Sequence, residues 1–130
     1  MSTLNVNTVQ HNTSGFNNVV QFTDGGGTQN GTLCRAWVNF NGTGTVAIRA
    51  SFNVSSITDI GSGDYYINFA NSMSDSNYSA TVTTSQTTTN GYPPPFIVAA
   101  NVNTSRFRIN VGKNATVDED AETVCVSVFR

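Results

Sequence analysis

Leucine, lysine and charged side chains in general are scarce in this sequence of 130 residues. Leucine occurs only at positions 4 and 33 and lysine only at position 113, whereas Val, Ile, Thr, Phe and Tyr are plentiful. Because the scarce residues are helix formers and the plentiful ones favour strands, we expect almost no α-helix. Only 11% of the residues are charged, while Ser, Thr and Asn make up more than a third of the chain. The surface is therefore expected to be polar but nearly uncharged.

The few charges also limit the partners that the protein could bind. The formal net charge is −2 and the basic residues form no cluster, which argues against nucleic acid because phosphate contacts need grouped cations. Arg106 and Arg108 share one strand face, which leaves two alternatives: a small anion contact, or a solvated or inter-subunit face. No run of about 18 apolar residues exists, and the first residues lack the basic and apolar regions of a signal peptide. We expect a soluble protein with no membrane insertion, which is not exported by itself.

Side chains that carry catalysis or bind metals are few and scattered. His11 is the only histidine, and no motif places a nucleophile near it, so a catalytic triad is not supported. Asp59 and Asp64 flank a predicted turn, and residues 118–122 form an acidic loop. Paired carboxylates can hydrolyse glycosides or bind Ca²⁺, but neither spacing matches a Ca²⁺-binding loop, and we interpret both groups as solvated turn acids. We predict no catalytic residue, no metal site and no cofactor.

Residues 36–69 predict a β-meander. Three runs of alternating apolar and polar residues are separated by Gly-containing turns at residues 41–44 and 61–64, a pattern typical of consecutive antiparallel strands. On the strand period of two, one face of each run should be buried. The alternation predicts that these side chains share the core: Phe40, Ile48, Phe52, Ile67 and Phe69.

Further apolar runs extend the pattern to about seven short strands separated by turn signals. This pattern predicts an all-β fold, an antiparallel β-sandwich spanning residues 32–130. Residues 1–31 are expected to form an N-terminal attachment arm, in which Leu4 and Val6 alternate with asparagines in a short strand, followed by a Gly-rich flexible linker or wide loop over residues 24–31. Because a lone strand leaves its edges unpaired, we expect the arm to pair with a neighbouring subunit or another protein.

Trp37 is predicted to lie on the outward face of its strand together with Arg35, near Arg49 on the next strand. A large aromatic side chain on a solvent face usually means that another surface covers it. Our first interpretation is a subunit interface formed by these three residues and by the arm residues Leu4 and Val6. The alternative is a platform on which a sugar ring stacks.

A second candidate contact surface is the loop that contains Pro93, Pro94 and Pro95. Consecutive prolines hold an extended conformation that cannot join a central strand, so the loop is expected on the surface. The prolines fix the position of Tyr92, whose flat ring and hydroxyl suit recognition of a protein or a saccharide. The alternative is a rigid connection that only caps one end of the sandwich.

Cys34 and Cys125 fall on the first and last predicted strands of the sandwich. These strands could be neighbours, but the sequence does not show whether the two Cα atoms come within disulfide range. Metal binding by two cysteines without clustered histidines is not supported.

Aromatic, glycine and polar residues keep a fixed arrangement through the meander: Trp37, Asn39, Phe40, Asn41, Gly42, Thr43, Val46, Ile48, Arg49, Phe52, Asn53, Val54, Ser55, Ser56, Ile57, Gly63, Asp64, Tyr65 and Phe69. With these residues in place, the segment closely resembles a domain that recurs in tail fibres and related appendage proteins of tailed bacteriophages. Residues 1–10 also resemble the start of many short phage fibre proteins. Beyond Tyr78 no resemblance is found.

The resemblance implies a non-enzymatic structural protein of the virion, a fibre or appendage subunit. Such a subunit would form homotrimers, attach to other phage virion proteins by its arm, and present the sandwich to the virion or to a host surface polysaccharide or protein. Synthesis in the reducing bacterial cytoplasm would favour free thiols. Two alternatives stay open: a capsid decoration or head-fibre protein, and a polysaccharide-degrading tailspike, for which the chain is short and lacks a recognisable carboxylate pair.

Overall fold

The computed structural model describes residues 19–24, 27–85, 98–100, 102–114 and 117–130. These residues form strands, turns and irregular segments and contain no helix, so the predicted all-β fold is confirmed. The described part of the chain accordingly offers no helix of the length and apolarity needed to span a membrane.

The chain divides into two compact units, Met1–Leu33 and Cys34–Arg130. In the first unit, β1 (Val19–Asp24) pairs antiparallel with β2 (Gly27–Thr32) along the full length of both strands. The prediction of a flexible linker or wide loop over residues 24–31 is therefore wrong for most of that segment. Antiparallel pairing uses backbone groups, so a Gly-rich strand can pair when its partner supplies residues with high strand propensity.

The second unit is an antiparallel β-sandwich. Its strands in chain order are β3 (Cys34–Asn41), β4 (Ala47–Phe52), β5 (Val54–Gly61), β6 (Asp64–Phe69), β7 (Ser79–Thr84), β8 (Val98–Ala100), β9 (Arg106–Asn110), β10 (Gly112–Asn114), β11 (Val117–Asp118) and β12 (Val124–Phe129). Sheet 1 has the order β4-β3-β12-β7, and sheet 2 has the order β5-β6-β9-β8, with every pair antiparallel. β10 and β11 form a separate two-stranded ribbon.

The two sheets bury a common apolar core, because alternate residues of the central strands point inward. Three predicted core residues are confirmed: Phe40 and Ile67 are fully buried and Phe69 nearly so. Aromatic rings pack edge to face in this core, with 5.2 Å between the ring centroids of Phe40 and Tyr65. The main inward side chains are Ala36, Val38, Phe40, Val124, Val126 and Val128 from sheet 1 and Val54, Tyr65, Ile67, Phe69, Phe107 and Ile109 from sheet 2.

The predicted burial of Ile48 and Phe52 is wrong. β4 is an edge strand and all of its residues are exposed, with Ile48 at 37% and Phe52 at 55%. A β-bulge changes the register, since Asn39 lies opposite Ala50 whereas Phe40 lies opposite Ile48. Phe52 lies opposite Trp37 on β3, and directly opposite residues project to the same face of a sheet. Phe52 therefore points away from the core.

Asn53 is the corner at which the chain passes from sheet 1 to sheet 2. Its φ is 54°, in the left-handed region that Asn tolerates better than most residues. Its side-chain amide donates to the carbonyls of Arg35 and Asn71, both at 3.1 Å, and its Oδ1 accepts from the Asn71 N–H at 2.8 Å. The corner thus joins β3 of sheet 1 to the segment that follows β6 of sheet 2.

Candidate functional site

Three large aromatic side chains lie on the outer face of sheet 1. Trp37 is 39% exposed, Phe52 55% and Phe129 40%. Trp37 on β3 lies between Phe52 on β4 and Ser127 on β12, and Phe129 lies two residues beyond Ser127 on β12. Diagonal neighbours of this kind are within reach of aromatic side chains. We call these three residues the aromatic surface.

The four strands of sheet 1 contain arginine but no Asp or Glu. Beside the aromatic surface, Arg130, which follows Phe129, is paired with Asp75. Arg49 donates from Nη1 to Thr123 Oγ1 at 3.0 Å and to Asn39 Oδ1 at 3.4 Å, so its side chain is tied across the sheet. A sheet face with exposed aromatic rings, amides and hydroxyls is suited to packing against another protein surface.

The structure places three of the predicted interface residues together on sheet 1. Arg35 and Trp37 are two residues apart on β3, and Arg49 reaches Asn39, two residues further along the same strand. The remaining predicted contact residues lie outside the residues that the structure describes: Leu4, Val6, Tyr92, Pro93, Pro94 and Pro95.

Sequence reasoning missed Phe52 and Phe129 as members of this surface. Phe129 could have been found, because Val124, Val126 and Val128 alternate inward and leave it on the opposite face. The position of Phe52 depends on the bulge at Arg49, which the alternating pattern does not reveal.

The outer face of sheet 2 is polar, and its side chains are bound to one another. Arg108 donates from Nε to Asp64 Oδ1 at 2.7 Å, and its Nη2 pairs with Oδ2 of the same carboxylate. This hydrogen bonding to Asp64 raises the pKa of the Arg108 guanidinium. The guanidinium of Arg106 lies 4.2 Å from the ring centroid of Tyr66. Of the two alternatives for the arginines, an anion contact is disfavoured, because Arg108 already holds a carboxylate.

The interpretation of Asp64 as a solvated turn acid is wrong, since the residue is only 8% exposed and ion-paired. The same interpretation is wrong for Asp120. Its Oδ1 accepts from the Gly63 N–H at 2.7 Å and from the Tyr65 hydroxyl at 2.8 Å, and burial together with this hydrogen bond raises the pKa of Tyr65. Asp120 therefore fastens the loop before β12 to the turn between β5 and β6.

Gly63 is required in that turn. Its φ is +64°, and a Cβ there would overlap the Val111 carbonyl oxygen, which is close because the Val111 N–H donates to the Gly63 carbonyl at 2.6 Å.

In the described part of the chain, no three His, Cys, Asp or Glu side chains come together as metal ligands would.

Cys34 and Cys125 lie on neighbouring strands but are far apart along them. Cys34 is opposite Phe129, whereas Cys125 is opposite Asn39. Four residue steps along β12, from position 125 to position 129, separate the two cysteines by about 13 Å, beyond the range of a disulfide. Both thiols are free and half-buried.

Comparison of the chain with protein-family models, curated proteins and solved structures found no match.

Proposed function

We propose that this protein is a non-enzymatic structural component of a phage virion, a fibre or appendage subunit attached by its N-terminal arm. The observation that carries the proposal is the aromatic surface, three large rings left exposed on one face of an otherwise well-packed sandwich. A monomer gains nothing from exposing them, whereas a subunit uses such a face to bind its neighbour.

The free energy gained by burying the aromatic surface is large enough to contribute to subunit association. Fully burying one large apolar side chain contributes roughly 1.5–3 kcal/mol. Three adjacent rings on strands that contain no Asp or Glu form the apolar centre that subunit contacts need, with the amides and hydroxyls of sheet 1 as a polar rim. The surface is therefore a better binding face than the outer face of sheet 2.

The resemblance of residues 36–69 to phage fibre proteins supports the rest of the proposal. Several of its residues occupy positions where this fold has special requirements: Asn53 at the corner between sheets, Gly63 at a positive φ, and Asp64 in an ion pair. The resemblance therefore concerns residues that specify a folded unit. On this resemblance, the protein is a homotrimer in the virion, with Leu4 and Val6 of the arm at the subunit interface. The loop from Tyr92 to Pro95 is a second contact surface, for the host or the virion.

Light scattering after size exclusion tests the assembly. The wild-type protein should have three times the chain mass of 13.9 kDa, and Trp37→Ser should shift it toward the monomer. Ile60→Ser is the matched control, because Ile60 is 47% exposed at the end of β5 in sheet 2. A wild-type monomer at micromolar concentration would contradict the proposal.

Location distinguishes a tail appendage from a capsid decoration or head-fibre protein, which could use the same fold. Antibody labelling of purified virions, followed by a map of the virion by electron cryomicroscopy, should place this chain on the tail. A capsid location would support the second candidate instead. Release of oligosaccharides from host capsule or lipopolysaccharide by the purified protein would overturn the non-enzymatic assignment.

A further inference from the structure

Sheet 1 ends in two edge strands, β4 and β7, each paired on one side only among the residues that the structure describes. The free side of an edge strand presents backbone N–H and C=O groups that can pair with another strand. Proteins usually protect such edges with charged side chains, proline, a β-bulge or a very short strand. β7 is six residues long and has none of these features, and the six residues of β4 have a charge and a bulge only at Arg49.

The single charge on these two strands is already engaged. Arg49 sits at the bulge of β4 and its guanidinium is bound to Thr123 and Asn39 of the same chain. The residues that follow it, Ala50 to Phe52, are exposed and neutral. On β7 the outward residues Ser79, Thr81 and Thr83 are also exposed and neutral.

Sheet 2 differs at its edges as well as on its face. Its edge strand β5 carries the exposed acidic residue Asp59, and a charge disfavours pairing with another chain. Its other edge strand, β8, is described over Val98–Ala100. The uncharged edge residues of β7 and of Ala50 to Phe52 on β4 therefore belong to the same sheet as the aromatic surface.

The directions of the strands indicate which edges can meet. Three antiparallel pairs separate β4 from β7, so these strands run in opposite directions. A rotation about an axis roughly parallel to the strands preserves strand direction. It would bring β7 of one copy beside β4 of the next as an antiparallel pair, like every other pair in the sheet. A head-to-tail contact of this kind forms a closed ring when the rotation divides a full turn.

We infer that sheet 1 continues from copy to copy, with β4 of one subunit paired to β7 of its neighbour and the ring closed after three subunits. The number three rests on the proposed function, whereas the choice of strands rests on the edges themselves. With the outer face of sheet 1 toward the three-fold axis, the aromatic surfaces of the three subunits cover one another. The polar outer face of sheet 2 then faces water.

Disulfide trapping tests this pairing. In a Cys34→Ser, Cys125→Ser background, Ala50→Cys on β4 is combined in turn with Ser79→Cys, Thr81→Cys and Thr83→Cys on β7. All four positions are exposed and project from the outer face of sheet 1. Directly opposite residues of an antiparallel pair have Cα atoms about 4.5–5.5 Å apart, which is within disulfide range. Mild oxidation followed by non-reducing electrophoresis and mass spectrometry measures the products.

One of the three combinations should give covalent dimers and trimers and nothing larger, while Ala50→Cys alone should remain uncrosslinked. Thr58→Cys on β5, combined with Thr81→Cys, is the control for random collision. Trimers by light scattering with no crosslink from any combination would overturn the edge pairing and leave the homotrimer standing. Crosslinked dimers of Ala50→Cys alone would show β4 paired with itself and overturn the inference, as would covalent chains longer than three. A monomer would overturn both the inference and the proposed assembly.

Discussion

The outer faces of the two sheets differ in their exposed side chains and in the contacts that these side chains make. On sheet 2, the exposed side of β6 and β9 is occupied by interacting groups: Asp64 with Arg108, and Arg106 over Tyr66. On sheet 1, the corresponding side exposes the aromatic surface, and Arg49 on β4 is bound to the amide oxygen of Asn39 and the hydroxyl of Thr123. Both faces belong to one sandwich with one core. The two faces therefore differ in their exposed side chains and not in the core that the sheets share.

The contrast shows that exposure alone does not identify a binding face. The Tyr66 ring is half-buried and has the Arg106 guanidinium over it, whereas Trp37 is 39% exposed although Phe52 lies directly opposite it. A polar face whose members bind one another loses those interactions if another protein displaces them. A face of uncovered rings gains free energy when it is buried. Sheet 1 is therefore the sheet on which assembly is expected.

The largest expected effect is the difference in stability loss between a substitution on the inner face of sheet 1 and one on its outer face. Phe40→Ala should lower the free energy of unfolding by about 3–5 kcal/mol, because the ring is fully buried against Tyr65. Phe52→Ala, on the neighbouring strand, should cost less than about 1 kcal/mol, because the ring is mostly in water. Urea titrations of both variants in a Trp37→Ser background measure this without a contribution from assembly. Equal losses would show that the assigned face of β4 is wrong.

The second effect concerns the covering of the aromatic surface. Trp37 is the only tryptophan in the chain, so its fluorescence reports on this surface alone. In the assembled protein its emission should be at shorter wavelength and resist acrylamide quenching. Ala50→Glu, which introduces a charge on the β4 edge, should shift the emission to longer wavelength and increase quenching, whereas Thr58→Glu on sheet 2 should not. Identical spectra for wild type and Ala50→Glu would mean that assembly leaves Trp37 in water.

A smaller loss of stability is expected when the ion pair on the outer face of sheet 2 is removed. Asp64→Asn removes the charge that Arg108 binds and should lower the Tm, because the carboxylate is nearly buried and holds the guanidinium by two hydrogen bonds. Asp75→Asn is the control, since Asp75 and Arg130 form a comparable pair in which both side chains are well exposed. Calorimetry should show a larger decrease for Asp64→Asn and no change of oligomeric state. Equal decreases would indicate that burial adds nothing to the Asp64 pair.

Alternation along single strands was predictable, and relations between distant residues were not. The apolar period of two correctly predicted the inward faces of β3 and β6, because burial on one side of a strand imposes that period directly. It failed on β4, because an edge position and a bulge depend on the neighbouring strands.

The ion pair of Asp64 with Arg108 and the hydrogen bond of Tyr65 to Asp120 join residues 44 and 55 positions apart. Their neighbours in sequence give no sign of a partner, so both acids looked like solvated turn residues. The separation of Cys34 from Cys125 likewise depends on strand register, which the sequence does not reveal. The exposed position of Trp37, in contrast, follows from its parity on β3 and was predictable.

The smallest effect is expected from a hydroxyl beside the core of the sandwich. Burial raises the pKa of Tyr78 to about 12, and its hydroxyl donates to the Asn103 carbonyl at 3.0 Å. Between about pH 10, the ordinary value, and pH 12 the unfolded chain loses this proton while the folded protein keeps it, so stability falls as the pH rises through that window. Tyr78→Phe should flatten this fall when urea midpoints are compared from about pH 9 to 12. Tyr65→Phe should also flatten it but lower stability already at pH 7, because it removes the hydrogen bond to Asp120. Parallel curves for wild type and Tyr78→Phe would show that this hydroxyl is not withdrawn from water.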